Sequence, residues 1–149
     1  MPLVYRAPEV ILGMKWSSKV DIWSIGVMVW DLLEGQRLFM SKKGGALNDE
    51  QHLAKMVSLM GPPPRELLQQ SETPMCYLLR QLCLVGNWLG SIPIPNSALE
   101  RVTHLEGDDK QLMLGFARRI LRWLPDERPT AEELAFDDWL MQRYTESKS

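Results

Sequence analysis

Two histidines, two cysteines and nineteen acidic residues are the groups in this 149-residue sequence that could carry catalysis or bind a metal. Their spacing argues against most such chemistry. His52 and His104 form no pair with metal-ligand spacing and have no evident general-base partner, so each reads as a structural or surface residue. Cys76 and Cys83 match no common zinc or redox spacing. The sequence contains no G-x-G-x-x-G, no Walker-type loop and no G-x-S-x-G. Gly44-Gly45 is a flexible-loop signal and nothing more. Residue chemistry alone therefore stops at a small helical domain.

Composition narrows the class further. The chain carries 17 basic against 19 acidic residues, a net charge of −2, which gives no electrostatic case for nucleic acid or an anionic membrane as partner. Two cysteines are too few for a disulfide-stapled secreted domain and fit a reducing, intracellular setting. Met1 to Ala7 shows no signal-peptide pattern. The length suits one globular domain.

The elements that must position any site read as helices. The longest apolar stretch, Val20 to Leu33, is too short and too interrupted by Asp21 and Asp31 to span a bilayer. It predicts a helix with Ser18 and Asp21 as a capping box and Gly35 as its stop. Apolar residues on every side make it a central helix enclosed by others. After a polar loop over 36–48, the spacing of Leu53, Met56, Val57 and Met60 predicts a second helix from about Asp49 to Met60, ended by Gly61 and Pro62-Pro63-Pro64. From about 62 to 106 no period is sustained, and Pro74, Pro93 and Pro95 suggest an irregular, partly extended excursion. A third helix is expected over about Asp108 to Trp123, and a fourth begins at Thr130, whose Thr-Ala-Glu-Glu places Glu133 to reach back. The class is mainly α.

Three motifs, in order, carry a resemblance. Tyr5-Arg6-Ala7-Pro8-Glu9 contains an A-P-E, Asp21-Ile22-Trp23-Ser24-Ile25-Gly26 is a D-x-W-S-x-G, and Pro125-Asp126-Glu127-Arg128-Pro129-Thr130-Ala131 is a P-x-x-R-x-[ST]-A. Together they resemble the C-terminal lobe of a eukaryotic protein kinase from the end of the activation segment onward, with Leu124 where many kinases carry Asp. Arg6 in Y-R-A-P-E and Leu59-Met60-Gly61-Pro62-Pro63 are similar to the CMGC group, and the excursion falls where that group carries its insert. Asp49-Glu50-Gln51-His52-Leu53 and Gly86-Asn87-Trp88-Leu89-Gly90-Ser91-Ile92 look most like fungal kinases related to SR-protein kinases. Cys76 to Val85 departs from that pattern by being more apolar.

The resemblance implies roles residue by residue. Glu9 and Arg128 would form an ion pair tying the A-P-E segment to the P-x-x-R turn, and Asp21 and Trp23 would be structural anchors, Asp21 by accepting from backbone amides of a catalytic loop. Met28 and Leu32 match apolar positions that support the stack beneath the adenine ring, or are ordinary core. Arg6 would shape the surface that receives the residue after the phosphorylated Ser or Thr, or is a solvated charge. Asp49 and Glu50 would line an acidic dock for Arg/Ser-rich substrates, or are carboxylates favoured by the helix dipole.

The family transfers the ATP γ-phosphate to protein Ser or Thr, using ATP and Mg²⁺ on a Gly-rich loop, a strand lysine, H-R-D and D-F-G. The chain contains none of these motifs, so it is expected to hold no cofactor and to be inactive alone. Residues 1–144 are then a partial kinase domain with its insert at about 62–106 and a tail at 145–149, whose partners are protein substrates and the missing N-terminal half, in the cytoplasm or nucleus. The alternative is a non-catalytic protein-binding module that keeps the substrate-docking face. Either way, exposed apolar surface and a tendency to aggregate are expected of the isolated chain.

Overall fold

The central helix organises the molecule because its sequence offers apolar side chains in nearly every direction. In the computed structural model, which describes residues 3–40, 42–43, 46–86, 90–91 and 93–146, helix α2 (Lys19–Glu34) follows a short helix α1 (Pro8–Ile11). Val20, Ile22, Trp23, Val27 and Trp30 of α2 are buried in one continuous core. Gly26 is where a second long helix crosses closely: a Cβ there would lie 2.4 Å from Ile120 Cγ2. Gly35 ends α2 in the left-handed conformation, φ +65°. Ser18 does not cap it. Ser18 is itself helical, and Ser17 Oγ instead accepts the Lys19 N–H at 3.3 Å.

A two-residue antiparallel ladder, β1 (Lys42–Lys43) with β2 (Ala46–Leu47), leads into α3 (Asp49–Met60). Asn48 caps α3 by accepting the Gln51 N–H at 2.8 Å. Gly61 follows with φ +78°, and its carbonyl accepts the Trp123 indole N–H at 3.0 Å. The excursion is more regular than its prolines suggest. It holds α4 (Arg65–Leu68), the twelve-residue α5 (Pro74–Val85) and α6 (Leu99–Val102). Thr73 Oγ1 caps α5, Pro74 occupies the first turn where its missing N–H costs nothing, and Gly86 closes it with φ +69°. The expected Gly44-Gly45 loop signal, and Asn87, Trp88, Leu89 and Ile92 of the quoted motif, lie outside the described residues, as do 147–149 of the tail.

Helix α7 (Gly107–Ile120) ends three residues before the expected Trp123, because the chain turns there to bring Trp123 onto Gly61. Thr130 and Glu133 form a reciprocal capping box at the start of α8 (Ala131–Ala135). In α9 (Asp138–Glu146), Trp139 packs on Phe116 of α7 with ring centroids 5.0 Å apart. The end of α2 is tied down separately: the buried Glu34 carboxylate accepts from Thr103 Oγ1 and from the His104 N–H at 3.0 Å, and the exposed His104 ring lies against it. Among the described residues no helix is long and apolar enough to cross a membrane.

Candidate functional site

Three features on and around α2 gather the residues that the sequence singled out. The first is an ion-pair centre. Arg128 Nη1 and Nη2 donate to Glu9 Oε1 and Oε2 at 2.7 and 2.8 Å, and both side chains are buried. Two further N–H donors are used as well: Nε reaches the Arg122 carbonyl and Nη1 the Lys19 carbonyl, each at 3.1 Å. Lys19 reciprocates, donating from Nζ to the Arg128 carbonyl at 2.6 Å. A planar guanidinium meets all these acceptors at once, which an ammonium cannot do.

The guanidinium also lies 5.2 Å from the centroid of the Trp23 ring. Trp23 stacks on Phe39 at 5.8 Å, and Phe39 meets His52 at 5.0 Å. A continuous stack therefore runs from the ion pair to α3, and it fixes the Arg6–Leu12 segment against both helices.

The second feature lies at the start of α3. Arg6 donates to the Asp49 carboxylate and, from Nε, to the Leu3 carbonyl at 3.1 Å. Glu50 accepts from Ser91 Oγ at 3.3 Å. Arg6 and Asp49, each assigned a separate surface role from sequence, thus meet in one ion pair.

His52 sits beneath them, fully buried, and neither ring nitrogen has a partner among the described residues. Burial, with help from the nearby Arg6 cation and against Asp49, holds its pKa down at about 4. The unfolded chain therefore takes up this proton first. Stability from neutral His52 is fully present above about pH 6.5 and falls as pH drops towards 4, by about 3 kcal/mol in total. Denaturation curves at several pH values should show this loss shrinking in His52→Leu. Parallel curves for the two proteins would contradict it.

The third feature is a bare stripe. Asp21, Ile25, Met28 and Leu32 recur at i, i+4, i+7 and i+11 and line one exposed face of α2. Ile25 is 40% exposed, Met28 41% and Leu32 75%. The helix expected to be enclosed on every side is thus open along one of them. Asp21, at the N-terminal end of the stripe, is also exposed; its N–H donates to the Ser18 carbonyl at 3.0 Å, and its carboxylate makes no hydrogen bond or ion pair among the described residues.

Sequence reasoning missed Ile25, whose spacing from Asp21 and Met28 was visible, and Lys19, for which no signal existed. Among the described residues no group of three or more His, Cys, Asp or Glu is placed to hold a metal ion. The arrangement is suited to presenting an apolar helix face and a rigid segment around Arg6.

The comparisons with known proteins follow this geometry. A family model described as "Protein kinase domain" matches residues 2–140. Over 142 residues the chain is 42% identical to a serine/threonine protein kinase of Aspergillus fumigatus, with 94% of this chain and 35% of that protein covered. It is 32% identical over 153 residues to dual specificity tyrosine-phosphorylation-regulated kinase 3 of Mus musculus, covering 91% of this chain and 25% of that one. A serine/threonine-protein kinase SRPK of Physarum polycephalum is 30% identical over 135 residues, with 87% and 31% covered. A MAP kinase of Leishmania major superposes with a TM-score of 0.69 at 21% identity, over 95% of this chain and 38% of that chain, a likeness of fold. The chain spans about a third of the length of the fungal relative.

Proposed function

The chain belongs to the protein kinase family, in its CMGC group, and from that premise we propose that residues 1–144 serve as the C-terminal, substrate-side part of a serine/threonine kinase catalytic domain. The excursion over 62–106 is the insert and 145–149 a tail. The observation that carries this reading is the bare stripe: Met28 and Leu32, with Ile25 between Asp21 and Met28, present an apolar face headed by a carboxylate. Such a face on the central helix of the core calls for a covering element with backbone amides at one end, which supports the roles of Asp21, Met28 and Leu32 in receiving the preceding part of the kinase. Glu9, Arg128 and Trp23 anchor the segment that carries Arg6.

ATP and Mg²⁺ belong to the complete family domain, and the residues of this chain do not fit them. Asp21 is the one charged group on the stripe, no metal-holding cluster occurs among the described residues, and the sequence has neither H-R-D nor D-F-G. The chain alone is therefore inactive in this account, and no step of phosphoryl transfer is assigned to its side chains. Arg6 acts by holding its segment to α3 through Asp49. An acidic dock for Arg/Ser-rich substrates draws less support, because the Asp49 charge is already met by Arg6. The two free cysteines fit the cytoplasm or nucleus.

A chimera tests the reading. When the matching 142 residues of the Aspergillus fumigatus kinase are replaced by this chain, the product should phosphorylate a protein substrate. A folded but inactive chimera would favour the non-catalytic binding module instead.

A further inference from the structure

The last limb of the excursion meets α3 through a half-buried polar cluster. Lys55 Nζ donates to Ser97 Oγ at 3.0 Å, and Ser97 Oγ lies 3.3 Å from Ser58 Oγ, which itself donates to the Lys55 carbonyl at 2.8 Å. The Ser58 proton is thus taken by that carbonyl, and Ser97 supplies the one shared between the two hydroxyls. The Lys55 ammonium keeps two further N–H donors, and no carboxylate pairs with it among the described residues. Burial is the sole cause lowering its pKa, so no neighbouring charge offsets the cost of holding a cation there. The charged residues beside Ser97 in the chain are engaged elsewhere: Glu100 pairs with Arg118, and Arg101 donates to Asn96. On α3, Glu50 accepts from Ser91.

Ser97 is also the member of the cluster that an enzyme can reach. Lys55 and Ser58 belong to α3, whereas residues 93–97 lie outside any helix or strand and take part in no backbone–backbone hydrogen bond among the described residues. Pro93, Pro95 and Asn96 are exposed. The segment can lift into an extended form by giving up the Lys55 and Ser58 contacts and the packing of half-buried Ile94, as a modifying enzyme requires.

We propose that Ser97 is a phosphorylation site and that Lys55 holds the phosphate, clamping the excursion onto α3. A separate protein serine kinase with Mg-ATP supplies the group. Ser97 Oγ bonds to the γ-phosphorus as the bond to the β,γ-bridging oxygen breaks, ADP leaves, and the hydroxyl proton passes to that kinase's base. The phosphate oxygens then stand one atom beyond an oxygen that Lys55 already touches, and they give the ammonium the anion it lacks. Because the phosphate is tethered to the chain, the entropy of capturing a free anion is not lost. The cluster is separate from the α2 stripe, and the inference stands whether or not the chain completes a kinase domain.

The test has two arms, both on the 149-residue chain. The chain is expressed in a fungal host, recovered with phosphatases inhibited and mapped by mass spectrometry, where phosphate is expected on Ser97. Chain made with phosphoserine at position 97 is then titrated by phosphorus NMR against a blocked peptide of residues 93–101 carrying the same group. The phosphate of the folded chain should titrate about 0.5 pH lower than that of the peptide, because the Lys55 cation favours the dianion. The difference should vanish in urea and in Lys55→Gln, whose cooperative melt shows that it is folded. An unmodified Ser97, a midpoint equal to the peptide's, or a difference that survives urea or Lys55→Gln would overturn the inference.

Discussion

Arg128→Met should destabilise the fold by about 3–5 kcal/mol, because it strands the buried Glu9 carboxylate without its cation. That is a large share of the 5–15 kcal/mol typical of a whole domain. Arg128→Lys should recover little. An ammonium could reach Glu9 or the carbonyls of Lys19 and Arg122, but it cannot satisfy all of them from one position, nor stack on Trp23. Glu9→Gln combined with Arg128→Met should cost clearly less than the two single losses added, since neither partner is then left charged. Denaturant titration measures all three. A loss below about 1 kcal/mol for Arg128→Met would mean that the pair is an incidental surface contact.

The second large effect concerns the bare stripe, and it changes sign with context. In the isolated chain, Met28→Gln with Leu32→Gln should lower binding of a hydrophobic dye severalfold and suppress self-association, at little cost in stability because both side chains are already exposed. In the chimera with the fungal kinase the same pair should abolish activity, because the face is then covered and must be apolar. Equal dye binding before and after substitution, together with an unaffected chimera, would remove the stripe from the account.

Much of this was legible in the sequence where the signals are local. Helix α3 shows its bounds in the apolar spacing and in Gly61 with its prolines, and Thr130 and Glu133 announce their capping box. Helix α5 was hidden by Pro74, which reads as a breaker yet stands in the first turn, although Cys76, Leu79 and Cys83 carry helical spacing. The end of α7 was displaced because Trp123 continues the apolar period while its indole is claimed by Gly61, a contact across 62 residues that no local pattern reveals.

The site divides in the same way. Glu9, Asp21, Trp23 and Arg128 stand out by motif, and the geometry around Glu9 and Arg128 is dense. The pairing of Arg6 with Asp49 joins residues 43 apart and was invisible when each was weighed alone. Which face of α2 lies open depends on what packs against the other faces, so an apolar surround could mark a central helix without saying where its cover is missing.

The most direct test of the central claim, that this chain is the substrate-side part of a kinase domain and carries none of its phosphoryl-transfer machinery, is to incubate the purified 149-residue chain with Mg-ATP and a protein substrate. Phosphate incorporation and the shift in melting temperature are read side by side. The account predicts no incorporation into chain or substrate and no ATP-dependent shift. Stoichiometric autophosphorylation, or a clear stabilisation by Mg-ATP, would contradict it.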